Sequence, residues 1–481
     1  MNKRVADFLK PAFILCAFFL FAPTYLNRDL WFDEALTLLN FAQLDSPWEI
    51  YRSYVIPNNQ ILYTIILHYA TFLLPSDIDP VLFFRLISFA CGGATLLLLY
   101  RLFRVRVGGG MILLTVLTAL AISVPFLIYA TALRGYIFSS LFVTLSLHTA
   151  LNFAGKPNGK NALYFALSSL GAIATISSNL AVLAGVVLYA LPLFGVNFYK
   201  RKQFWILSAI PLAMFALFYL PIYSSFLGCL RLGEGWSDKQ QALSATYAGF
   251  IYSFAMLLLP GAGVLLVQNR VHFKWLKMAR LAIWLIPLPM ILLLKVAPFP
   301  RVFFPFWPLW VLLLAAGIRD LTALNCRYRH RWNSNVWFGA LLIAVLGWGF
   351  VAQQPKLRLG FSDKFGGAGA DDYFMGYYMR TGHSPSLTAG EIAKRYSNKP
   401  LTVYTSFLAD PWALWFYLNG SGVNLSRFEF DGPRGLVPAL ARGELVILRL
   451  DESGKDIESR FHCRLKLLFS NANHGVYFVE R

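Results

Sequence analysis

Apolar runs of about 20 residues recur along most of the chain, and each is as long as a helix must be to cross the hydrocarbon core of a bilayer. A backbone in lipid has to satisfy its own polar groups, so runs of this length and number leave a bundle of α-helices as the architecture. Spans are predicted near residues 8–26, 80–101, 110–130, 134–153, 162–178, 179–197, 204–226, 244–267, 276–294, 299–318 and 335–352, eleven in all. Residues 11–26 (PAFILCAFFLFAPTYL) follow Lys3, Arg4 and Lys10 but lead into no small-x-small cleavage site. They read as a retained first span, not as a signal peptide. The expectation is a polytopic α-helical membrane protein.

The formal charge of +19 would suit a nucleic-acid binder, but the excess sits in short clusters between apolar runs. These are Arg101/Arg104/Arg106, Lys156/Lys160, Lys200/Arg201/Lys202, Arg270/Lys274/Lys277/Arg280 and Arg319/Arg327/Arg329/Arg331. Such clusters mark the cytoplasmic side, and two spans separate each from the next. With the basic N-terminus inside, the outer face carries Asp33, the 131–134 turn, the 227–243 and 295–301 loops, and everything after about residue 353. The chain is therefore placed in the inner (cytoplasmic) membrane, among membrane lipids, with no nucleic acid as partner. Cys16, Cys91, Cys229, Cys326 and Cys463 show no metal-binding spacing and read as structural.

Residues 59–75 (NQILYTIILHYATFLLP) break the count, because a span there would reverse every later basic loop. Gln60, Thr64, His68 and Thr71 recur at helical spacing and form one polar stripe, as on a helix lying in the interface. The segment is assigned to the outer surface; the alternative is a twelfth span whose stripe faces other helices. Residues 1–352 then form the membrane domain, with a first outer loop at 27–79.

After "VAQQPKLRLG" no further 20-residue apolar run appears, and a soluble outer domain is expected over 353–481. "LTVYTSF" and "ELVILRL" read as buried strands, "DPWALWFYLN" as a helix opened by Asp410 and Pro411, and "RLKLLFS" with "GVYFVER" as a closing hairpin. The form expected is a small α/β domain.

"LWFDEALTLL" places Asp33 and Glu34 just past the first span, where lipid headgroups end. A carboxylate there can take a proton from an acceptor hydroxyl as general base. It can equally cap the helix that follows, and the dipeptide alone leaves both roles open. A lipid-borne phosphate would need cations on the same face. Arg85, Arg134 in "ALRGY", and Lys295 and Arg301 in "LKVAPFPRVFFPFWPLW" qualify, since the guanidinium fork suits phosphate oxygens. Each alone can also be a cation snorkelling at a helix end.

Taken in order, "LWFDEA", "PNNQILYTIILHYATFLL", "FFRLISFACGGATLLLLYRLFR", "ALRGYIFSSLFVTLSL" and "PRVFFPFWPLWVLLLAAGI" resemble membrane glycosyltransferases of the GT-C fold. The likeness is to the family 39 and family 83 type, which includes protein O-mannosyltransferases and lipid A aminoarabinose transferases. It spans roughly residues 10–320, and the Asp-Glu segment and "PRVFFPFWPLW" are its most specific parts. It implies a transferase that moves a sugar from a polyprenyl-phosphate carrier to a glycan, lipid or protein acceptor on the outer face. It also implies Asp33 as catalytic base with Glu34 beside it, and Arg134 and Arg301 near the donor phosphate. Arg85, Lys295 and His68 join them as candidate substrate-binding residues. Two departures stand out: Pro57, Asn58, Asn59 and Gln60 occupy the place of a His-Pro-Pro-like stretch, and Ala132 stands where the family often has an acid. The second removes a carboxylate from any two-carboxylate metal site, so no metal or other cofactor is assigned, although the resemblance leaves a divalent ion open.

Two further readings compete: a polytopic transporter or lipid flippase, which would need a polar path that the spans offer only as scattered Ser, Thr and His148, and a non-catalytic subunit that keeps the GT-C fold.

Overall fold

The computed structural model describes residues 3–56, 59–108, 110–232, 239–258, 274–293, 299–328, 334–353, 383–396, 399–430, 440, 442–450, 452–471 and 473–480. The chain divides into two compact units, one of Met1–Leu26 with Leu44–Phe374, the other of Asn27–Gln43 with Met375–Arg481. The start of the first outer loop, which the sequence places in the membrane domain, thus belongs to the same unit as the C-terminal residues.

The first unit is helical, and each of the eleven apolar segments contains helix. Among the described residues, four helices are long and apolar enough to cross a membrane: Pro80–Arg106, Tyr136–Gly155, Lys202–Arg231 and Pro300–Ala323. A fifth forms if Met111–Ala121 and Val124–Thr131 count as one span, but these two are bent by 59°. The sequence shows there one unbroken apolar run; the break is the work of Pro125, which has no N–H to give to the carbonyl of Ala121 and crowds it sterically. Ser123 caps the loose end, its hydroxyl donating to the Leu120 carbonyl at 2.8 Å.

Packing draws these helices close. Phe18 stacks on Phe89 at 4.8 Å and meets the edge of Phe126 at 5.8 Å. Gly92 allows the approach, since a Cβ there would lie 2.8 Å from the Ala130 Cβ. The helix Trp307–Tyr328 lies deep in the unit: Trp307, Leu309, Trp310 and Leu312 are all but inaccessible. Trp310 stacks on Tyr247 and Trp284, its indole N–H donating to the Ile283 carbonyl at 3.2 Å.

The segment assigned to the outer surface is a helix of 11 residues, Ile61–Thr71. At 1.5 Å per residue it is roughly 16 Å long, well short of a span. Its polar stripe faces inward: Gln60, Thr64 and His68 are buried, while Tyr69 is 56% exposed. Ile61, Tyr63, Leu67 and Ala70 are buried beside them, so the helix packs on protein with apolar and polar side chains alike.

The second unit is built on a five-stranded sheet ordered β2-β1-β3-β5-β4, with β1 Leu401–Thr405, β2 Leu425–Phe430, β3 Leu445–Arg449, β4 Arg464–Ser470 and β5 His474–Glu480. Strand β1 is parallel to β2 and β3, and β5 runs antiparallel to β3 and β4. Parallel neighbours need a crossover, and Pro411–Gly420 supplies it between β1 and β2. Strand β3 is buried on both faces, which explains its uninterrupted apolar reading: Leu445 and Ile447 pack with Ile392 and Leu414, while Val446 and Leu448 pack with Tyr404 and Val479. The strands, helix and hairpin read from the sequence fall on these elements. The helices Pro385–Tyr396 and Gly454–Phe461 and the edge strand β2 are additional.

Candidate functional site

In the first unit, Arg134 lies in the turn between Val124–Thr131 and Tyr136–Gly155 and is 2% exposed. Its guanidinium stands 5.7 Å from the centre of the Tyr136 ring. Arg301, one residue into the 3₁₀ turn Pro300–Phe306, donates from Nε to the Tyr136 hydroxyl at 3.1 Å and lies over the Phe299 ring. Two of the sequence-predicted cations are thus gathered on one aromatic side chain, the first on its face and the second at its hydroxyl. Tyr129 and Phe304 extend the aromatic wall, Tyr129 meeting Tyr136 at 4.9 Å and Phe304 at 4.7 Å. Sequence reasoning missed Tyr136; its only signal was its place two residues after Arg134.

Gly135 is fixed by packing. A Cβ there would lie 2.7 Å from Thr175 Cγ2 and 3.0 Å from Tyr63 Cβ, and its N–H donates to the Gln60 side-chain oxygen. The close approach that a glycine permits at this position is made by the Gln60 side chain.

The other candidates of this unit go elsewhere. Arg85 is fully buried in Pro80–Arg106 and donates to the Leu26 carbonyl at 2.8 Å. That bond takes up a carbonyl at the end of the short helix Pro23–Leu26. His68 packs edge-on against Tyr69 and Phe72. Lys295 lies outside the described residues. Among the described residues, the charged side chains this unit buries are Arg85 and Arg134, and no group of three metal-binding side chains occurs among the described residues of either unit.

In the second unit, Asp33 and Glu34 occupy the second and third positions of the short helix Phe32–Leu36, which runs on into a π-helical turn, Thr37–Ala42. Glu34 is fully buried, pairs with Arg28 at 2.9 Å and accepts the Trp31 N–H at 3.4 Å. The capping role weighed for Asp33 is therefore taken by Glu34, the reach-back of a capping box. Asp33 is half-buried, and its backbone carbonyl accepts from the Thr37 hydroxyl at 2.8 Å.

The residues just before Asp33 are tied to the C-terminal fold. Asp29 takes the Ser386 N–H at 2.8 Å and its hydroxyl at 2.9 Å, at the start of Pro385–Tyr396. The Leu30 N–H donates to the Tyr417 hydroxyl at 2.9 Å, and the Leu30 carbonyl lies 3.1 Å from His383 Nε2. Phe32 meets the Phe407 ring at 5.2 Å. His383 is held in turn: Asn473 Nδ2 is 3.0 Å from its Nδ1, and Asp410 Oδ2 is 3.3 Å from its Nε2. None of these partners was legible, because more than 350 residues separate them from the loop.

Asp410 caps Pro411–Gly420, accepting the Ala413 N–H at 3.2 Å, and holds a left-handed conformation (φ 62°) that few residues other than glycine tolerate. Burial pushes its carboxyl above the usual range and the Asp33 charge adds to that push, while His383 pulls the other way. His474, fully buried, is driven down to about 3, chiefly by burial. It is therefore a neutral ring, giving Nε2–H to the Ala409 carbonyl at 3.1 Å and taking the Thr388 hydroxyl on Nδ1 at 2.9 Å.

No family model matches the chain, and no curated protein does. Solved structures do. The crystal structure of ArnT from Cupriavidus metallidurans bound to undecaprenyl phosphate aligns at a TM-score of 0.53 and 14% identity, covering 98% of this chain and 97% of that one. The apo form of the same protein aligns at 0.50 and 13%, with the same coverage. The likeness extends through both units and assigns the fold: the chain has the GT-C fold of ArnT.

Proposed function

We propose that this chain is an integral-membrane glycosyltransferase that moves a sugar from a polyprenyl-phosphate carrier to an acceptor on the outer face of the inner membrane. The observation that carries this reading is the pairing of Arg134 and Arg301 on Tyr136 in a chain whose fold is that of a protein solved with undecaprenyl phosphate bound. Guanidinium forks suit an anion with several oxygens, and two of them meet on this one tyrosine. The phosphate of a lipid carrier is such an anion and lies at headgroup depth.

In the transfer, the acceptor hydroxyl attacks the anomeric carbon from the face opposite the phosphate, so the configuration inverts. Asp33 receives the hydroxyl proton, and the sugar–phosphate bond breaks with its electron pair on the carrier phosphate. Arg134 and Arg301 meet the charge that grows there, and such charge-directed groups do most when held in place beforehand. Glu34, already committed to Arg28 and the turn, holds the shape on which Asp33 is presented. No nucleotide enters the reaction.

The donor half is tested by titrating undecaprenyl phosphate into the purified protein and its Arg134→Ala, Arg301→Ala and Arg104→Ala forms. Loss of about 2 to 4 kcal/mol of binding is expected for the first two, as for a charge partner removed from a dry site. Arg104, on the basic last turn of Pro80–Arg106, should be neutral. Equal binding by all three would mean that the outer arginines do not hold the phosphate.

A further inference from the structure

We propose that Ser386, Tyr417 and His383 are positioning residues for Asp33, so that the C-terminal domain is part of the transfer machinery and not an accessory to it. The inference rests on the reading of Asp33 as general base.

Residues 27–43 lie far from 383–480 in sequence, yet they form one compact unit with them. The attachment is concentrated immediately before the base. Asp29 grips the first turn of Pro385–Tyr396 with both carboxylate oxygens, where the helix has N–H groups to satisfy. One residue on, both backbone polar groups of Leu30 are taken by side chains, Tyr417 at the N–H and His383 at the carbonyl. An irregular segment has no ladder to satisfy these groups, so the two side chains do for Leu30 what a neighbouring strand would do. Phe32, next to Asp33, rests on Phe407.

The His383 contact has a defined direction. The Leu30 carbonyl can only accept, so Nε2 must carry the hydrogen, and Nδ1 is left to accept from Asn473. Asp410 beside Nε2 favours the same arrangement. Three residues within four of Asp33 are thereby fixed by three separate parts of the C-terminal fold. The backbone bearing the base has little freedom to drift. A general base works only within hydrogen-bond reach of its proton, and misplacement by about 1 Å costs on the order of 100-fold in rate.

The test uses the full-length protein in detergent with Ser386→Ala, Tyr417→Phe and the double variant, each of which removes a hydroxyl and keeps the fold's apolar contacts. Hydrogen exchange of peptides covering residues 27–36 and 444–450 is followed by mass spectrometry, beside kcat and donor KM with a polyprenyl-phosphate sugar. The expected result is faster exchange confined to 27–36 and a kcat lower by about 10- to 100-fold in the double variant, with donor KM within about twofold. Ser386→Thr alone, which keeps the hydroxyl, should match the parent in both readouts. Unchanged exchange at 27–36, or exchange raised equally at 444–450, overturns the proposal, the latter because it marks a general loss of fold. Parental turnover by Asp33→Asn would instead strike the reading of Asp33 as base, whatever the exchange shows.

Discussion

Tyr136 is the smallest piece on which the donor reading turns. Its ring receives Arg134 and its hydroxyl receives Arg301, so the two contacts can be separated by substitution. Tyr136→Phe keeps the face and removes the hydrogen bond, which should weaken binding of undecaprenyl phosphate by roughly 1 to 2 kcal/mol through a looser Arg301. Tyr136→Leu removes both and should be weaker by about 1 kcal/mol more, the cation–π contribution of a poorly hydrated site. Isothermal titration reads both; identical affinity for all three forms would show that the tyrosine orders neither cation. Legibility was uneven at this scale. Arg134 and Arg301 could be picked out because a cation next to an apolar run is visible in one dimension, whereas their convergence on Tyr136 spans 165 residues. Glu34 beside Asp33 looked like a partner in chemistry, and only the turn geometry showed it spent on Arg28 and the Trp31 N–H.

Among the elements, hydropathy located the apolar segments because burial in lipid leaves a long, simple signature. It could not show which way a helix faces. The stripe Gln60, Thr64 and His68 has the same spacing whether it meets headgroups or protein, and here it meets protein. Pro125 was a readable reason for a break, but the run around it is apolar on both sides, so hydropathy passed through the 59° bend. The C-terminal strands were legible because β1 and β3 are short, rich in β-branched residues and buried. The helix Pro385–Tyr396 was not, since it buries only one face. That helix is bound to the hairpin through Thr388 and His474, and the bond carries a pH dependence. With its folded-state pKa driven from 6.5 to about 3, the ring stays neutral in the fold but takes a proton when unfolded. Its contribution is thus complete above pH 6.5 and is lost as pH falls toward about 3, at most by about 1.4 kcal/mol per pH unit. The raised carboxyl of Asp410 acts with the opposite sign, its charged form being the disfavoured one, and it is common to parent and variant. Hydrogen exchange of residues 474–480 should therefore accelerate between pH 6.5 and 4.5 in the parent, after correction for intrinsic rates, and do so less in His474→Gln. Equal acceleration would place the acid sensitivity on other groups.

For the molecule as a whole, the path of the chain matches ArnT over nearly all of its length at 14% identity. Helix packing tolerates wide exchange of apolar residues as long as volume and pattern persist, so a fold can outlast recognisable sequence. A fold hosts more than one chemistry, however, and function has to be argued from the site. The claim that organises everything else is that Asp33 takes a proton while a sugar leaves a lipid phosphate. It is tested most directly by single-turnover transfer from a panel of polyprenyl-phosphate sugars to acceptors in membrane extract, followed by mass spectrometry for the parent and for Asp33→Asn. The account predicts a transferred sugar with the parent and a rate at least about 100-fold lower with Asp33→Asn, at unchanged donor affinity. Transfer by Asp33→Asn at the parental rate, or a parent that binds the carrier and transfers from no member of the panel, would contradict it.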